Sequence, residues 1–196
     1  ALASIEKTFG ALPKPARTLA QTYTVEPVQD GERRVELRRN GEVYVVGIAY
    51  HSLAGSSPDF PAIDAAVDIL TREPSGRLYK KLVETKLAAT LYGWTQQSHD
   101  PSLTQLYAQV RDGKNVDKVE QIMEAETEGL GTGKIDEKEL ERWRTATLKE
   151  IELGMANSQR VAIYLSEFAA IGDWRTFFAY RDGVAKVTVA DVQRVA

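Results

Sequence analysis

The stretch Ser75–Trp94, SGRLYKKLVETKLAATLYGW, sets the fold class. Pro74, Ser75 and Gly76 break what precedes, and a new helix starts near Gly76. Its apolar stripe is Leu78, Leu82 and Val83, with Lys80, Lys81 and Glu84 turned outward. From Leu91 to His99 the pattern changes to that of a strand. Arg77 stands at the helix start. It reads either as a residue that touches a ligand or as a cation that pairs with a nearby acid and fixes the helix on a sheet. The second reading is favoured, because no other polar group with a defined role accompanies it.

Upstream, Asp59 to Leu70 is a helix with Ile63, Ala66, Val67 and Leu70 on one face. Before it, Val35 and Leu37 alternate with charged residues, and Asn40-Gly41 signals a tight turn. Val43 to Tyr50 is denser in apolar residues, as a central buried strand would be. Leu2, Ile5 and Phe9 have helical spacing, and an extended connector covers residues 14–30. Downstream, Leu103 to Arg111 is a strand joined to its predecessor through Asp100-Pro101-Ser102. Helices are expected from Val116 to Leu130, from Asp136 to Leu153 or Met155, from Ser158 to Ile171, and from Thr188 onward. Asp136 with Glu139 and Thr188 with Asp191 have capping-box spacing. The element order implies an α+β domain, a mostly antiparallel sheet with helices packed on one face. The uncapped first helix and the helix still running at Ala196 read as elements cut from a longer protein.

Composition narrows the function. Of 196 residues, 43% are hydrophobic and 27% charged, and the net charge is −3 with both signs interspersed. That balance supports a packed core and offers no basic nucleic-acid surface. No apolar run approaches the roughly 20 residues that span a bilayer. Absence of cysteine excludes disulfides, thiolate metal sites and a cysteine nucleophile, and fits a bacterial periplasm or cytoplasm.

Motifs with chemistry are scarce. His51 and His99 are the only histidines, each expected at a strand end, and neither lies in H-E-x-x-H or H-x-x-E-H. Ser56 and Ser57 belong to a turn and helix cap rather than to a nucleophile elbow. The run from Gly129 to Lys134, GLGTGK, lies between two helices and lacks the strand that precedes a phosphate loop. Acidic residues around 120–128 and 136–141 read as solvated helix faces and caps. Trp94, Trp143 and Trp174 read as core or interface anchors. The residues alone therefore give no catalytic and no metal site.

The run from Gly76 to Ala88, GRLYKKLVETKLA, resembles the S-S-R-L-Y-x-x-L-V-E-x-x-x-L-A segment of the insulinase/pitrilysin-type zinc peptidases. Arg77, Leu78, Tyr79, Leu82 and Glu84 carry the match and are expected to be structural. Flanking pieces agree in order: IEKTFGALPKP, VYVVGIAYHS with SPDFPAIDAAVDIL, GKIDEKELERWR and VTVADVQRVA. The resemblance implies a mitochondrial-processing-peptidase-like metallohydrolase fold, in which two related domains form each half and two halves close around a peptide chamber. It implies that zinc sits in the preceding domain of the parent, on an inverted H-x-x-E-H motif that this chain lacks, and that this chain holds no cofactor. By the same resemblance, residues 1–30 are the end of that preceding domain and a linker. Residues 31–196 are then the second, non-zinc-binding domain, truncated at its C-terminus.

The family's substrate-binding arginine and tyrosine lie in an L-R-E-K-x-G-L-A-Y segment. Aligned on this chain, those positions hold Val83 and Thr90, with Tyr92 two residues further along the same strand face. The implied function is a non-catalytic domain of a zinc endopeptidase that helps form the peptide-binding chamber. Its implied partners are the zinc-binding domain, a second peptidase-like half and peptide substrate. The alternative is a structural or inactive peptidase-like subunit without proteolysis, and a weaker one is an unrelated α+β binding module.

Overall fold

The computed structural model describes residues 2–14, 16–18 and 28–196. By its internal contacts the chain divides into two units, residues 1–40 and 41–196. The first contains helix α1, Leu2–Phe9, which buries none of its residues. Most of the connector expected over 14–30 lies outside the described residues. The strand expected around Val35 and Leu37 is absent: this segment belongs to no ladder among the described residues. Both side chains are open to solvent, at 88% and 73%. Alternation makes a strand only where another strand supplies the hydrogen bonds, and no described strand does so here.

The second unit holds the sheet. Its strands are β1 (Tyr44–His51), β2 (Ala88–Thr95) and β3 (Leu103–Val110). They pair antiparallel in the order β1-β3-β2. Among the described strands β1 pairs with β3 alone. Val46 and Ile48 face the core, while Val45 and Tyr44 are exposed. β2 ends at Thr95, so His99 lies in the β2–β3 connection rather than at a strand end.

Facing residues follow from the register. Val46, Ala108 and Leu91 form one inward row, and Ile48, Leu106 and Gly93 the next. Helix α2 (Phe60–Thr71) packs on β2, and α3 (Val116–Glu128) packs on β1. Outside them lie α4 (Glu137–Met155), α5 (Ser158–Ile171), α6 (Thr176–Val184) and α7 (Val189–Val195). Helices therefore cover one face of an antiparallel sheet, as expected. The main core joins Leu78, Leu82, Leu106, Met123, Leu140 and Trp143. A smaller one joins Phe168, Ile171 and Phe177 between α5 and α6. No described helix is long and apolar enough to cross a membrane.

Both capping boxes form. Asp136 accepts from the Lys138 backbone N–H at 3.0 Å, and Glu139 accepts from the Asp136 N–H at 3.0 Å. Thr188 and Asp191 do the same for α7. Asp136→Ala is expected to lower stability by about 1 kcal/mol, read as a shift in the urea unfolding midpoint with an unchanged slope. Asp59 precedes α2 without capping it through its side chain. Its two oxygens instead take the Arg194 guanidinium, at 2.6 and 2.9 Å, which ties α7 to the start of α2.

Candidate functional site

The stretch from Ser75 to Trp94 is built as follows. Gly76 is required where it stands, because a Cβ there would lie 2.7 Å from the Arg72 nitrogen and from the Leu70 carbonyl oxygen. Arg77 and Leu78 begin a helical turn, which widens into a π-helical turn over Tyr79–Glu84. The wider winding keeps both Leu78 and Leu82 buried. Val83 and Leu87 pack partly against the same core. Lys80, Lys81 and Glu84 turn toward solvent, and Lys86 leaves the turn at a φ of 65°. The Tyr79 hydroxyl donates to Glu73 at 3.1 Å. Lys81 pairs with Glu126 of α3.

Arg77 turns toward the start of α4. Its Nε and one terminal nitrogen donate to the two oxygens of Glu139, at 3.0 and 2.6 Å. The same terminal nitrogen donates to the Lys134 carbonyl at 2.8 Å. Glu139 is the residue that closes the α4 capping box, so one carboxylate serves both contacts. The Arg77 hydrogen bonds hold the Glu139 carboxyl below its ordinary range, and the carboxylate in turn raises the guanidinium.

Behind α2 lies a carboxyl that sequence reading does not single out. Oδ2 of Asp64 accepts from the Trp143 indole at 3.2 Å and from the Tyr180 hydroxyl at 2.8 Å. Burial raises the Asp64 carboxyl, against the lowering effect of these two bonds. Its two donors come from α4 and α6, distant in sequence. Trp143 is core, while Trp94 and Trp174 are about half exposed.

The helix-free face of the sheet is the other distinctive feature. Its outward rows are Val45–Gln109–Thr90, Gly47–Tyr107–Tyr92 and Ala49–Gln105–Trp94. Tyr92 is 61% exposed and Trp94 46%. Trp94 stacks on Tyr107 with ring centroids 5.5 Å apart and planes 23° from parallel. The Tyr107 hydroxyl donates to the Gln105 carboxamide oxygen at 2.9 Å. Thr90 and Tyr92 share this face, as their spacing predicts. Thr90 donates to Gln109 at 3.4 Å.

Among the described residues, no group of three or more histidines, aspartates or glutamates is placed to hold a metal ion. His99 pairs with Asp100 at 2.9 Å. The GLGTGK run connects α3 to α4 as a loop.

Comparison with known proteins places this fold. The profile of the peptidase M16 inactive domain matches residues 1–147. The chain belongs to that family, so it is a non-catalytic domain of the zinc-metallopeptidase type that its motif resembles. It is 42% identical to the inactive peptidase domain of a zinc-protease-like protein from Bordetella parapertussis. That match covers 81% of this chain and 84% of the other, with a TM-score of 0.73. A zinc-protease-like protein from Bordetella pertussis Tohama I is 40% identical over 80% of this chain and 86% of its own, with a TM-score of 0.71. A Helicobacter pylori protease shares the fold at 23% identity and a TM-score of 0.91, over 99% of this chain and 47% of that one. No curated protein matches.

Proposed function

We propose that this domain is the companion of a zinc-bearing domain in a longer peptidase, and that it forms part of the wall of a peptide chamber. Residues 1–30 then end the preceding domain and link it to residues 31–196. In this reading zinc belongs to the parent's preceding domain, as membership of the family implies. A second peptidase-like half completes the chamber, and extended peptide is the substrate. The observation that carries this reading is the family match over residues 1–147. Arg77, Leu78, Tyr79, Leu82 and Glu84 act in this reading as structural residues that seat the π-helical turn.

A second reading, an inactive subunit without proteolysis, is favoured by Val83 and Thr90. Val83 packs partly into the core, and Thr90 hydrogen-bonds within the sheet. Neither offers a substrate the charge of an arginine or the phenol of a tyrosine.

The test uses the parent and this chain side by side. The parent should carry H-x-x-E-H upstream and about one zinc per chain. The 196-residue chain should bind no stoichiometric zinc and cleave no peptide. A parent without motif or zinc would select the inactive-subunit reading, and tight zinc on this chain would overturn both.

A further inference from the structure

We infer that the α5–α6 hairpin, residues 157–182, is a latched flap that swings off α2 and α4 as one body when the Tyr180–Asp64 hydrogen bond is released. Among the described residues, that bond is the only side-chain hydrogen bond from the hairpin to the rest of the protein. The other side-chain bonds of the segment close within it. Asn157 accepts from the Gln159 and Arg160 N–H groups, Ser166 donates to the Ile163 carbonyl, Arg175 to Asp173 and Arg181 to Asp182. The same two arginines make its ion pairs, again inside the segment. α5 buries only Phe168 and Ile171. A segment so lightly tied opens ahead of the core it rests on.

The hairpin carries its own cohesion. Phe168, Ile171 and Phe177 form a core separate from the main one. Phe177 stacks on Tyr164 with centroids 5.4 Å apart and meets Phe168 edge-on at 5.4 Å. Two pivots bound the motion. Asn157 lies in extended backbone between α4 and α5, and its side chain caps α5, so the helix keeps its cap when it leaves α4. At the other end Val184 is buried in the main core and holds the end of α6 in place. Between the pivots the seam is apolar. Ile151 of α4 packs on the small core, Tyr164 closes over Gly154, and Phe60 meets Tyr180 edge-on. Tyr180 packs against both cores, which puts the latch where the two meet. Its release strands neither partner. Asp64 keeps the Trp143 indole as a donor, and the freed hydroxyl reaches water.

The experiment is native-state amide hydrogen exchange on the 196-residue chain, comparing α5 and the start of α6 with β3. The hairpin amides are expected to exchange at one shared rate, about tenfold or more faster than those of β3. Tyr180→Phe removes only the latch hydroxyl and should speed the hairpin about tenfold. Asp136→Ala supplies the contrast, because the α4 cap stays formed when the flap opens. It should speed β3 about fivefold, the equivalent of the lost cap, and leave the hairpin rate unchanged. If the hairpin responds to Asp136→Ala as β3 does, it opens only with the whole domain and the flap is overturned. Hairpin exchange indifferent to Tyr180→Phe overturns the latch, as do rates that merely fall off from the helix ends inward. Should Tyr180→Phe fail to fold, the Asp136→Ala comparison still decides whether the hairpin opens by itself.

Discussion

Asp64→Ala is expected to cost the fold about 2–4 kcal/mol, read from urea unfolding at neutral pH. Two donors on two other helices converge on one oxygen of this carboxyl. Trp143 is almost wholly enclosed, and its indole N–H loses its acceptor once the carboxyl is gone. Each orphaned donor costs about 1–3 kcal/mol, and release of a poorly solvated carboxylate returns part of that. Asp64→Asn separates the two contributions, because it keeps an acceptor oxygen and removes the charge. The sign of its pH dependence follows from burial. The folded-state carboxyl is raised above its ordinary value, so its contribution is fully present below about pH 4 and is lost as pH rises through the raised value. The advantage of wild type over Asp64→Asn should therefore shrink as pH increases from about 4 toward neutrality. An advantage that grows over that range would mean that the Trp143 and Tyr180 bonds outweigh burial and stabilise the carboxyl as an anion.

This knot illustrates what the sequence carries and what it does not. The helix and strand patterns are legible where the signal is local. Asp136 and Glu139 stand three apart, and that spacing alone predicts the cap that forms. The apolar stripe of α2 likewise follows from its own residues. By contrast, α6 sends no comparable signal. Phe177 and Phe178 are adjacent and Tyr180 follows closely, so no single stripe stands out, and the preceding Arg175 is not a capping residue. Its place comes from packing, with Phe177 against Phe168 and Tyr164, and the Tyr180 hydroxyl on Asp64. The alternating run at Val35 and Leu37 misleads in the opposite direction, since a strand pattern cannot specify its partner. Within the candidate site, the alternation of β2 and β3 places Thr90 and Tyr92 on one face. The outward face as a whole needs the register of three strands, which short-range pattern does not contain.

Arg77 supplies the second large effect. Arg77→Ala is expected to lower stability by about 2–3 kcal/mol, because Glu139 and the Lys134 carbonyl both lose their donor. The pair is mostly shielded, with side-chain exposures of 22% and 17%, so it exceeds an ordinary surface bridge. Glu139→Gln should cost less, since the amide oxygen still accepts one bond. A double-mutant cycle between Arg77→Ala and Glu139→Ala should return a coupling of about 1–2 kcal/mol. Because Arg77 depresses the Glu139 carboxyl, the stabilisation is present above the ordinary glutamate range and fades as pH falls through the lowered value. The coupling should thus be intact at neutral pH and diminish in acid. A clamp of this kind predicts that Arg77→Ala shifts unfolding and leaves peptide binding by the parent unchanged. A residue that touches peptide predicts the reverse, with unaltered unfolding and weakened binding. The two readings of Arg77 posed by the sequence thus make opposite demands on one variant. The bidentate geometry, with the same carboxylate closing the α4 cap, favours the clamp.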